Sequence, residues 1–454
     1  MIRKILIANR GEIAVRIIRT CKEMGIETVA IYSTADKDAL HVQLASEAVC
    51  VGSPLPKDSY LNMNNIIQAA CSTGCDAIHP GFGFLSENAM FARLVQACGL
   101  IFIGPNPQVI EKMGNKTEAR KTMIQAGVPV VKGSKDVLQD VNQCREVSKV
   151  IGYPVMIKAC NGGGGKGMRI VHREEELDEL YATAKQEAKA CFGNDDMYVE
   201  KYVEHPKHVE IQVAADQFGN VIHLYDRDCS FQIRNQKMIE EAPCFILDEK
   251  IRQAMCKDAI EACRSVGYDS VGTIEFLLDK YGNYYFMEMN TRIQVEHPIT
   301  EMITGIDLVK LQIRIASGLE LGMKQEDVKC NGYALECRIN AQNPKKEFAP
   351  DAGKIEFLNL PGGRGVRIDG AIYNGYVVNP FYDAMLCKII TFAPTRLECI
   401  KKMRIALEEF IAQGICTNEE FHYMVLHHRE FIEGSYDTSF ASKCMKEFIA
   451  NGNI

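Results

Sequence analysis

The chain has 454 residues, 47% apolar and 24% charged, which predicts an ordinary globular protein of several domains, because one hydrophobic core rarely organises this length. Its formal net charge of −7 argues against nucleic acid as a partner, and no apolar run is long enough to cross a membrane. The eighteen scattered cysteines form no C-x-x-C pair, and no apolar leader opens the sequence, so we expect a cytoplasmic chain.

The first segment alternates short apolar runs with amphipathic helical patterns. KILIAN, TVAIYS, DAIHP and IFIGP indicate strands, and GEIAVRIIRTCKEMG indicates a helix. Strands that alternate with helices predict an open parallel α/β domain, here over residues 1–112. Only one glycine follows the first strand in ANRGEIA, so the sequence offers little support for a dinucleotide site.

A glycine run marks the second segment, residues 130–204. PVMIKAC and MRIV indicate strands on either side of this run, and a charged helix from Glu174 to about Cys191 and the strand MYVEKYV follow. Glycines allow the backbone to approach phosphate oxygens, and Lys158 before the run adds a positive charge. Lys166 precedes glycine and a strand rather than Ser or Thr and a helix, which argues against a Walker A loop. We therefore expect a phosphate lid.

A mostly β region follows at residues 330–446. YALECRIN, GKIEFLNL, GVRIDG and LCKIITF have the composition of strands, and we expect a closing helix from Pro394 to Gln413.

The strongest signal lies between these regions, in VGTIEFLLDKYGNYYFMEMNTRIQVEHP. Two strand patterns flank Tyr281-Gly282, which predicts a hairpin. If Lys280 pairs with Asn283, Glu275 lies directly opposite Glu288. Like charges in that position repel, so a hard cation such as Mg²⁺ between them would explain the pair.

The alternation continues beyond the hairpin. Five polar residues would share one face of an extended strand, with apolar residues on the other: Glu288, Asn290, Arg292, Gln294 and Glu296, against Met287, Met289, Ile293 and Val295. A solvated edge strand is the ordinary explanation of such alternation. Amides interleaved with opposite charges favour a phosphate and metal site instead.

Seven blocks in this order resemble the biotin carboxylase family of the ATP-grasp superfamily: KILIANRGEIAVRIIR, HPGFGFLSEN, FIGP, GGGGKGMR, EKYVEHPKHVEIQV, EMNTRIQVEHPITE and ECRINA. The resemblance covers essentially the whole chain. It implies an N-terminal α/β domain (1–112), an ATP-grasp domain (113–318) whose lid is the 130–204 segment, and a C-terminal β-rich domain (330–446).

The resemblance also implies roles for individual residues. ATP would be bound by Lys116, Lys158, Gly164, Gly165, Glu200, Lys201, Tyr202, Val203, His208, Asn235, Glu275 and Glu288. Two Mg²⁺ or Mn²⁺ ions would be held by Glu275, Glu288 and Asn290. Bicarbonate would contact Lys237, Arg292, Gln294 and Val295, with Gln232 near the γ-phosphate. Glu296 would be the base, Arg338 would stabilise the biotin enolate, and Phe82 would pack against biotin. Catalysis would thus rest on Lys237, Arg292, Glu296 and Arg338.

Residue by residue, simpler explanations compete with these roles. His208 alone is more often a surface or core histidine, Lys116 a solvated lysine, and Glu296 with Arg338 a structural ion pair. The chain also departs from the family, with Asn235 in place of a common histidine and Phe82 in place of a tyrosine. The first puts a contact to ATP in doubt, and the second removes a hydroxyl.

The implied reaction is carboxylation of carrier-bound biotin through carboxyphosphate. The sequence contains neither an A-M-K-M biotinylation motif nor a recognisable carboxyltransferase region, so we expect separate carrier and transferase subunits and, by family behaviour, a homodimer. Acetyl-CoA is the leading final acceptor, with pyruvate or propionyl-CoA systems as alternatives. A different ATP-grasp ligase and a catalytically silent nucleotide-binding module remain competing hypotheses.

Overall fold

The N-terminal domain is built on a parallel sheet of five strands in the order β3-β2-β1-β4-β5. A computed structural model describes residues 2–160 and 166–451. The elements of this region are β1 (Lys4–Ile7), α1 (Gly11–Glu23), β2 (Glu27–Ser33), α2 (Leu40–Leu44), β3 (Glu47–Gly52), α3 (Met63–Ser72), β4 (Ala77–His79), α4 (Ala89–Ala97), β5 (Ile101–Phe102), α5 (Pro107–Gly114) and α6 (Lys116–Gln125). The predicted parallel α/β domain is confirmed.

The strand order reverses between β1 and β4, and ligands of open α/β sheets bind where such a reversal leaves a crevice. The loops that follow these two strands are tied together by Asn9, whose amide donates to the carbonyls of Pro80 and Phe82 at 2.7 Å each. Gly81 has a φ of +63°, and a Cβ there would lie 2.9 Å from Asn9 Nδ2. The loop that carries Phe82 therefore requires glycine.

The second segment folds as predicted, around an antiparallel sheet in the order β7-β6-β8. Its elements are α7 (Val141–Ile151), β6 (Val155–Ala159), β7 (Met168–Val171), α8 (Leu177–Phe192) and β8 (Met197–Lys201). Leu177, Tyr181, Ala184 and Ala188 form the buried stripe of α8 and pack on the sheet. The glycine run itself lies outside the described residues.

An eight-stranded sheet carries most of the remaining chain, in the order β13-β12-β9-β10-β11-β14-β21-β19. Its strands and the helices around it are β9 (Lys207–Ala215), β10 (Val221–Ile233), β11 (Gln236–Ala242), α9 (Glu249–Val266), β12 (Val271–Leu278), β13 (Tyr284–Asn290), α10 (His297–Thr304), α11 (Leu308–Ala316) and β14 (Tyr333–Asn340). Beyond β14 come β15 (Gln342–Asn343), β16 (Ala349–Pro350), β17 (Gly353–Lys354), β18 (Phe357–Asn359), β19 (Val366–Gly370), β20 (Val377–Val378), β21 (Met385–Ala393), α12 (Arg396–Glu409), β22 (Ile411–Gln413), α13 (Glu419–His427), α14 (Arg429–Glu433) and α15 (Phe440–Asn451).

The sheet is continuous across the expected boundary between the second and third domains. Strand β14, which is YALECRIN in the sequence, pairs with β11 on one side and with β21 on the other. The side chains of β14 are therefore held in register with those of the ATP-grasp strands.

The predicted closing helix from Pro394 to Gln413 is wrong at its end. Helix α12 ends at Glu409, because Phe410 is extended (ψ 119°) and inserts into the core. Strand β22 and three further helices follow. Within the part of the chain that the structure covers, no helix has both the length and the apolar character needed to cross a bilayer.

Replacing Gly81 with Ala should lower stability more than replacing Gly83 with Ala in the same loop. Both positions have positive φ, so both variants carry a left-handed backbone that costs about 1–2 kcal/mol. Only at position 81 does the new methyl group displace the Asn9 amide. Thermal unfolding midpoints of the two variants measure the difference, and equal midpoints would show that the Asn9 contact does not stabilise the loop.

Candidate active site

The hairpin of β12 and β13 places Glu275 directly opposite Glu288. The predicted register is confirmed for this pair but is wrong at the turn, where Leu278 pairs with Tyr284 and the amide of Asp279 donates to Asn283 O at 2.8 Å. An irregularity after Glu275 shifts the register by one residue and restores the predicted pairing. Both carboxylates therefore stand on one face of the sheet.

The polar face does not continue as a strand, contrary to the prediction. β13 ends at Asn290, and residues 291–296 form a loop before α10. Glu87 pulls this loop off the sheet edge, since it accepts from the Thr291 amide at 3.2 Å and from Arg292 Nε at 2.8 Å. Val295, predicted to face the apolar side, lines the same cavity as Glu296.

All the predicted site residues within the described ranges line one cavity of about 1090 Å³. They are Phe82, Lys116, Lys158, Glu200, Lys201, Tyr202, Val203, His208, Gln232, Asn235, Lys237, Glu275, Glu288, Asn290, Arg292, Gln294, Val295, Glu296 and Arg338. Gly164 and Gly165 lie outside the described residues. The N-terminal loops, the β7-β6-β8 sheet of the predicted lid and the eight-stranded sheet all contribute walls, so the cavity lies where the three parts of the chain meet.

Lys237 is the positive centre of this cavity. Its ammonium group donates to Glu210 Oε2 at 2.6 Å, Glu296 Oε1 at 2.7 Å and Glu275 Oε1 at 2.9 Å. Burial alone lowers the pKa of Lys237, but the surrounding anionic groups outweigh burial and raise it well above its ordinary value. The lysine is therefore charged and offsets part of the negative charge around it.

Glu296 connects Lys237 to Arg338. One carboxylate oxygen accepts from Lys237, and the other accepts from Arg338 Nη2 at 2.9 Å. Burial raises the pKa of Glu296, but Lys237 and Arg338 hold it well below its ordinary value. Glu296 is therefore an ionised carboxylate, able to accept a proton, with 1% of its surface exposed.

Glu275 is more heavily bonded than Glu288. Asn290 and Gln294 each donate to its Oε1 at 2.9 Å, and His208 Nε2 lies 3.0 Å from its Oε2. Lys237 and His208 together outweigh the effect of burial and keep the pKa of Glu275 well below its ordinary value. The side chain of Glu288 is 38% exposed and lies 3.6 Å from Lys116 Nζ.

These oxygen donors suit a hard cation. Carboxylates that face each other, with an amide oxygen beside them, are the ligand types that Mg²⁺ takes in phosphate sites. A second group of potential ligands, His208, Glu210 and Glu275, lies within 4.8 Å of one another, but the Lys237 ammonium already bonds to both carboxylates of that group. The arrangement therefore favours the Glu288 side of Glu275 for a metal ion.

Three residues of the lid strands line the cavity and have side-chain partners within the lid: Lys158, Glu200 and Lys201. Lys158 pairs with Glu200 on the neighbouring lid strand. Lys201 Nζ donates to the carbonyls of Gly152 and Tyr153 at 3.0 and 2.9 Å, so its ammonium group is bound within the lid.

Asn235 has a structural reason for its identity. It forms a two-residue turn with Arg234 between β10 and β11, and φ is +64° and +52° at these two residues. Asparagine tolerates this left-handed conformation well, and tight hairpin turns favour it. The departure from the family pattern therefore suits the backbone.

Arg227, at the centre of the buried polar network, was not predicted from the sequence. Its side chain is fully buried and donates to Glu210 Oε1, Gln212 Oε1, Thr300 Oγ1, Thr273 Oγ1 and Gln294 Oε1. The alternation of His208, Glu210 and Gln212 along β9 was the available signal, because a period of two places them on one face.

Gln294 joins the two clusters. It donates to Glu275 and accepts from Arg227 at 3.0 Å. Glu87, also missed, lies in the quoted block HPGFGFLSEN and fixes Arg292, which in turn donates to Asn290 Oδ1 at 2.9 Å.

Family models match three parts of the chain: the biotin carboxylase N-terminal domain over residues 1–110, the ATP-binding domain of the carbamoyl-phosphate synthase L chain over 115–324, and the biotin carboxylase C-terminal domain over 336–443.

The chain is also similar to known proteins over nearly its whole length. The chain is 56% identical to biotin carboxylase 1 of Bacillus subtilis, over 97% of this chain and 98% of that protein. The biotin carboxylase domain of Hydrogenobacter thermophilus 2-oxoglutarate carboxylase, solved as a dimer with MgADP, ADP and bicarbonate, superposes with a TM-score of 0.95 at 49% identity and 98% coverage of both chains. A biotin carboxylase complex from Campylobacter jejuni gives a TM-score of 0.95 at 45% identity, covering 98% of this chain and 99% of that one. With its mixed α/β architecture and the cavity described above, the chain belongs to the biotin carboxylase family of ATP-dependent, ATP-grasp ligases.

Proposed function

We propose that the chain carboxylates biotin on a biotin carboxyl carrier protein, using MgATP and bicarbonate, as the first half-reaction of an acetyl-CoA carboxylase that supplies malonyl-CoA for fatty acid synthesis. One observation carries the proposal most directly. The Glu296 carboxylate is shared between Lys237 and Arg338 in a single cavity. Glu296, the proposed base, therefore contacts both Lys237, the cation assigned to bicarbonate, and Arg338, the cation assigned to biotin.

The nucleotide is assigned to the side of the cavity under the lid. Lys116 and Lys158 bind the phosphates, and the lid glycines at 164 and 165 cover them. The base and ribose lie against Glu200, Lys201, Tyr202 and Val203, with His208 and Asn235 at the edge of this site. All these residues except the two glycines line the same cavity, which supports the assignment.

Mg²⁺ or Mn²⁺ is assigned to Glu275, Glu288 and Asn290. When bound, such an ion offsets the negative charge that develops on the transferred phosphoryl group. The relative crystallised with MgADP supports this assignment.

Bicarbonate is assigned to Lys237, Arg292, Gln294 and the backbone of Val295. The Val295 carbonyl is fixed by Lys388 at 2.7 Å, which orients the loop. In the first step an oxygen of bicarbonate attacks the γ-phosphorus, ADP leaves, and Glu296 takes the bicarbonate proton. Holding the reactants in line lowers the barrier by removing the entropy cost of their encounter. As bicarbonate takes over the contact with Lys237, the pKa of Glu296 rises, and the carboxylate becomes a better proton acceptor.

Biotin is assigned to the part of the cavity between Arg338 and Phe82. Carboxyphosphate splits into CO₂ and phosphate, phosphate takes the proton from biotin N1, and N1 attacks the carbon of CO₂. The Arg338 guanidinium stabilises the enolate oxygen of the ureido group as its negative charge develops. Phe82 is half-buried against the N-terminal core and offers an apolar face.

We assign residues 1–112, 113–318 and 330–446 to three domains, an assignment that the ranges of the matched family models support. The partners in this proposal are a biotinylated carrier, carboxyltransferase subunits and a second copy of the chain, as in the dimeric relative. All eighteen cysteines are unpaired thiols, which supports a reducing cytoplasm. Co-purification of a biotinylated protein together with a transferase that accepts acetyl-CoA tests the pathway, and a transferase that accepts pyruvate would overturn it.

Replacing Glu288 with Gln should abolish most metal-dependent ATP cleavage without unfolding the protein. The amide keeps the shape of the side chain but removes the charge that holds the cation, and we expect a loss of roughly 100-fold in kcat. Phosphate release at increasing Mg²⁺ measures the effect. Glu261, a half-buried helical glutamate paired with Arg264 away from the cavity, is the control for the same substitution, and an unchanged metal requirement in E288Q would contradict the assignment.

Replacing Arg338 with Ala should separate the two half-steps. ATP cleavage that depends on bicarbonate alone should fall little, because Lys237 and Glu296 remain. Biotin carboxylation should fall by at least about 100-fold, since the developing enolate loses its only assigned cation. Carboxybiotin formation and phosphate release, measured side by side, show whether the two half-steps are affected unequally. Equal losses in both would mean that Arg338 is not specific to biotin.

A further inference from the structure

A second layer of acidic residues lies behind Arg338, outside the cavity. Glu240 on β11 and Glu336 on β14 are directly opposite each other in the register, and both are fully buried. Neither residue lines the cavity, whereas Arg338 and Glu296 do. The guanidinium of Arg338 therefore lies between one carboxylate that faces the substrates and another that does not.

Arg338 is bonded to this inner layer at least as closely as to Glu296. Its Nε donates to Glu240 Oε1 at 2.6 Å, compared with 2.9 Å from Nη2 to Glu296 Oε2. The other oxygen of Glu240 and both oxygens of Glu336 have no hydrogen-bond partner among the described residues. Directly opposed carboxylates repel, and a buried charge without a partner is costly. The pair is therefore stable only if a proton is bound to it.

We infer that Glu240 is the positioning residue of Arg338, and that Glu336 holds a proton that limits the charge of the Glu240–Glu336 pair to −1. The inference rests on the proposed role of Arg338 toward biotin. No group in the pair touches substrate.

The Glu240 carboxylate has a specific role during the reaction. When Glu296 accepts the bicarbonate proton it becomes neutral, and Arg338 loses the attraction that held it from the cavity side. Glu240 then remains as the carboxylate that fixes the guanidinium in place for biotin. A second negative charge on Glu336 would draw Arg338 away from the cavity, so the bound proton keeps the guanidinium available.

The charges around the pair agree with this division of roles. Burial raises the pKa of Glu240 to about 7, with Arg338 opposing the rise, and burial raises the pKa of Glu336 well above its ordinary value. The charged groups that act on the pair come from β11, β14, β21 and the loop before α10; they are Lys237, Arg338, Lys388 and Glu296. Lys388 is itself paired with Glu12 and donates to the Val295 carbonyl, which limits how far its charge can stabilise an ionised Glu336.

The Glu240→Gln variant tests the positioning role. The amide oxygen can still accept from Arg338, but the charge is gone, and we expect the KM for free biotin to rise about tenfold. The KM for ATP and the bicarbonate-dependent ATP cleavage without biotin should stay at wild-type values.

The matched control is Glu241→Gln. Glu241 is the next residue of β11, is also buried, and is bonded to Arg396 and Tyr436 instead of to the cavity wall. It should lower the thermal midpoint without changing the KM for biotin. If both variants lose thermal stability and neither changes the KM for biotin, the positioning role is wrong.

The Glu336→Gln variant tests the bound proton and serves if the Glu240 variant does not fold. A carboxyl group whose pKa is raised in the folded state contributes stability below its unfolded pKa and loses it as pH rises. The neutral amide removes that loss, so its thermal midpoint should exceed that of the wild type by roughly 2 °C or more at pH 8, and by less at pH 5.5.

The bound proton also predicts how the KM for biotin depends on pH. In the wild type the KM for biotin should rise at alkaline pH, as Glu336 loses the proton that its raised pKa retains at neutral pH, and this rise should be absent in Glu336→Gln. A lower thermal midpoint at every pH, with the alkaline rise intact, would overturn the bound proton.

Arg338→Lys separates this inference from the proposed function. If it leaves the KM for biotin unchanged, the assignment of Arg338 to biotin fails, and the inference fails with it. If Arg338→Lys raises the KM and Glu240→Gln does not, the proposed function stands and only the positioning role is wrong.

Discussion

The ammonium group of Lys237 is the interaction on which the rest of the site depends. It donates to three buried carboxylates, from Glu210, Glu275 and Glu296. Without the Lys237 cation, these three largely buried carboxylates would repel one another, and at least one would have to bind a proton. With it, Glu296 and Glu275 remain ionised. One can then act as a base and the other can face a metal ion.

The continuous eight-stranded sheet makes this geometry possible. Lys237 is on β11, Glu275 is on β12 and Arg338 is on β14, and the strands of one sheet hold these residues in register. The C-terminal region therefore completes the site through backbone pairing rather than through a loop that closes over it. The carbonyl of Arg338 is fixed from behind by Asn418 and His422, at 3.0 and 2.9 Å. Such support fixes the backbone from which the guanidinium projects.

Local patterns in the sequence predicted much of the fold and the outline of the site. The alternation around Tyr281-Gly282 predicted that Glu275 and Glu288 face each other, although two errors of one residue, at the turn and at the bulge, cancelled. The end of α12 was misplaced because the buried Phe410 interrupts an otherwise helical pattern.

Contacts between distant strands could not be predicted in this way. Arg227 reaches Thr300, and Glu240 faces Glu336, across 73 and 96 residues of chain. Nothing local to Glu240 or Glu336 shows that they are neighbours, because that depends on β11 pairing with β14. The resemblance to a family supplied the roles of Glu296 and Arg338, and the structure adds the charges that lie behind them.

The most direct test of the role of Lys237 is bicarbonate-dependent ATP cleavage by the Lys237→Gln variant, measured beside nucleotide binding by a fluorescent ATP analogue. The neutral side chain keeps hydrogen-bonding capacity but leaves the carboxylates without their shared cation. We predict that nucleotide binding changes less than about threefold while bicarbonate-dependent cleavage falls by roughly 100-fold or more. Cleavage at the wild-type rate, with the same response to bicarbonate, would contradict the account.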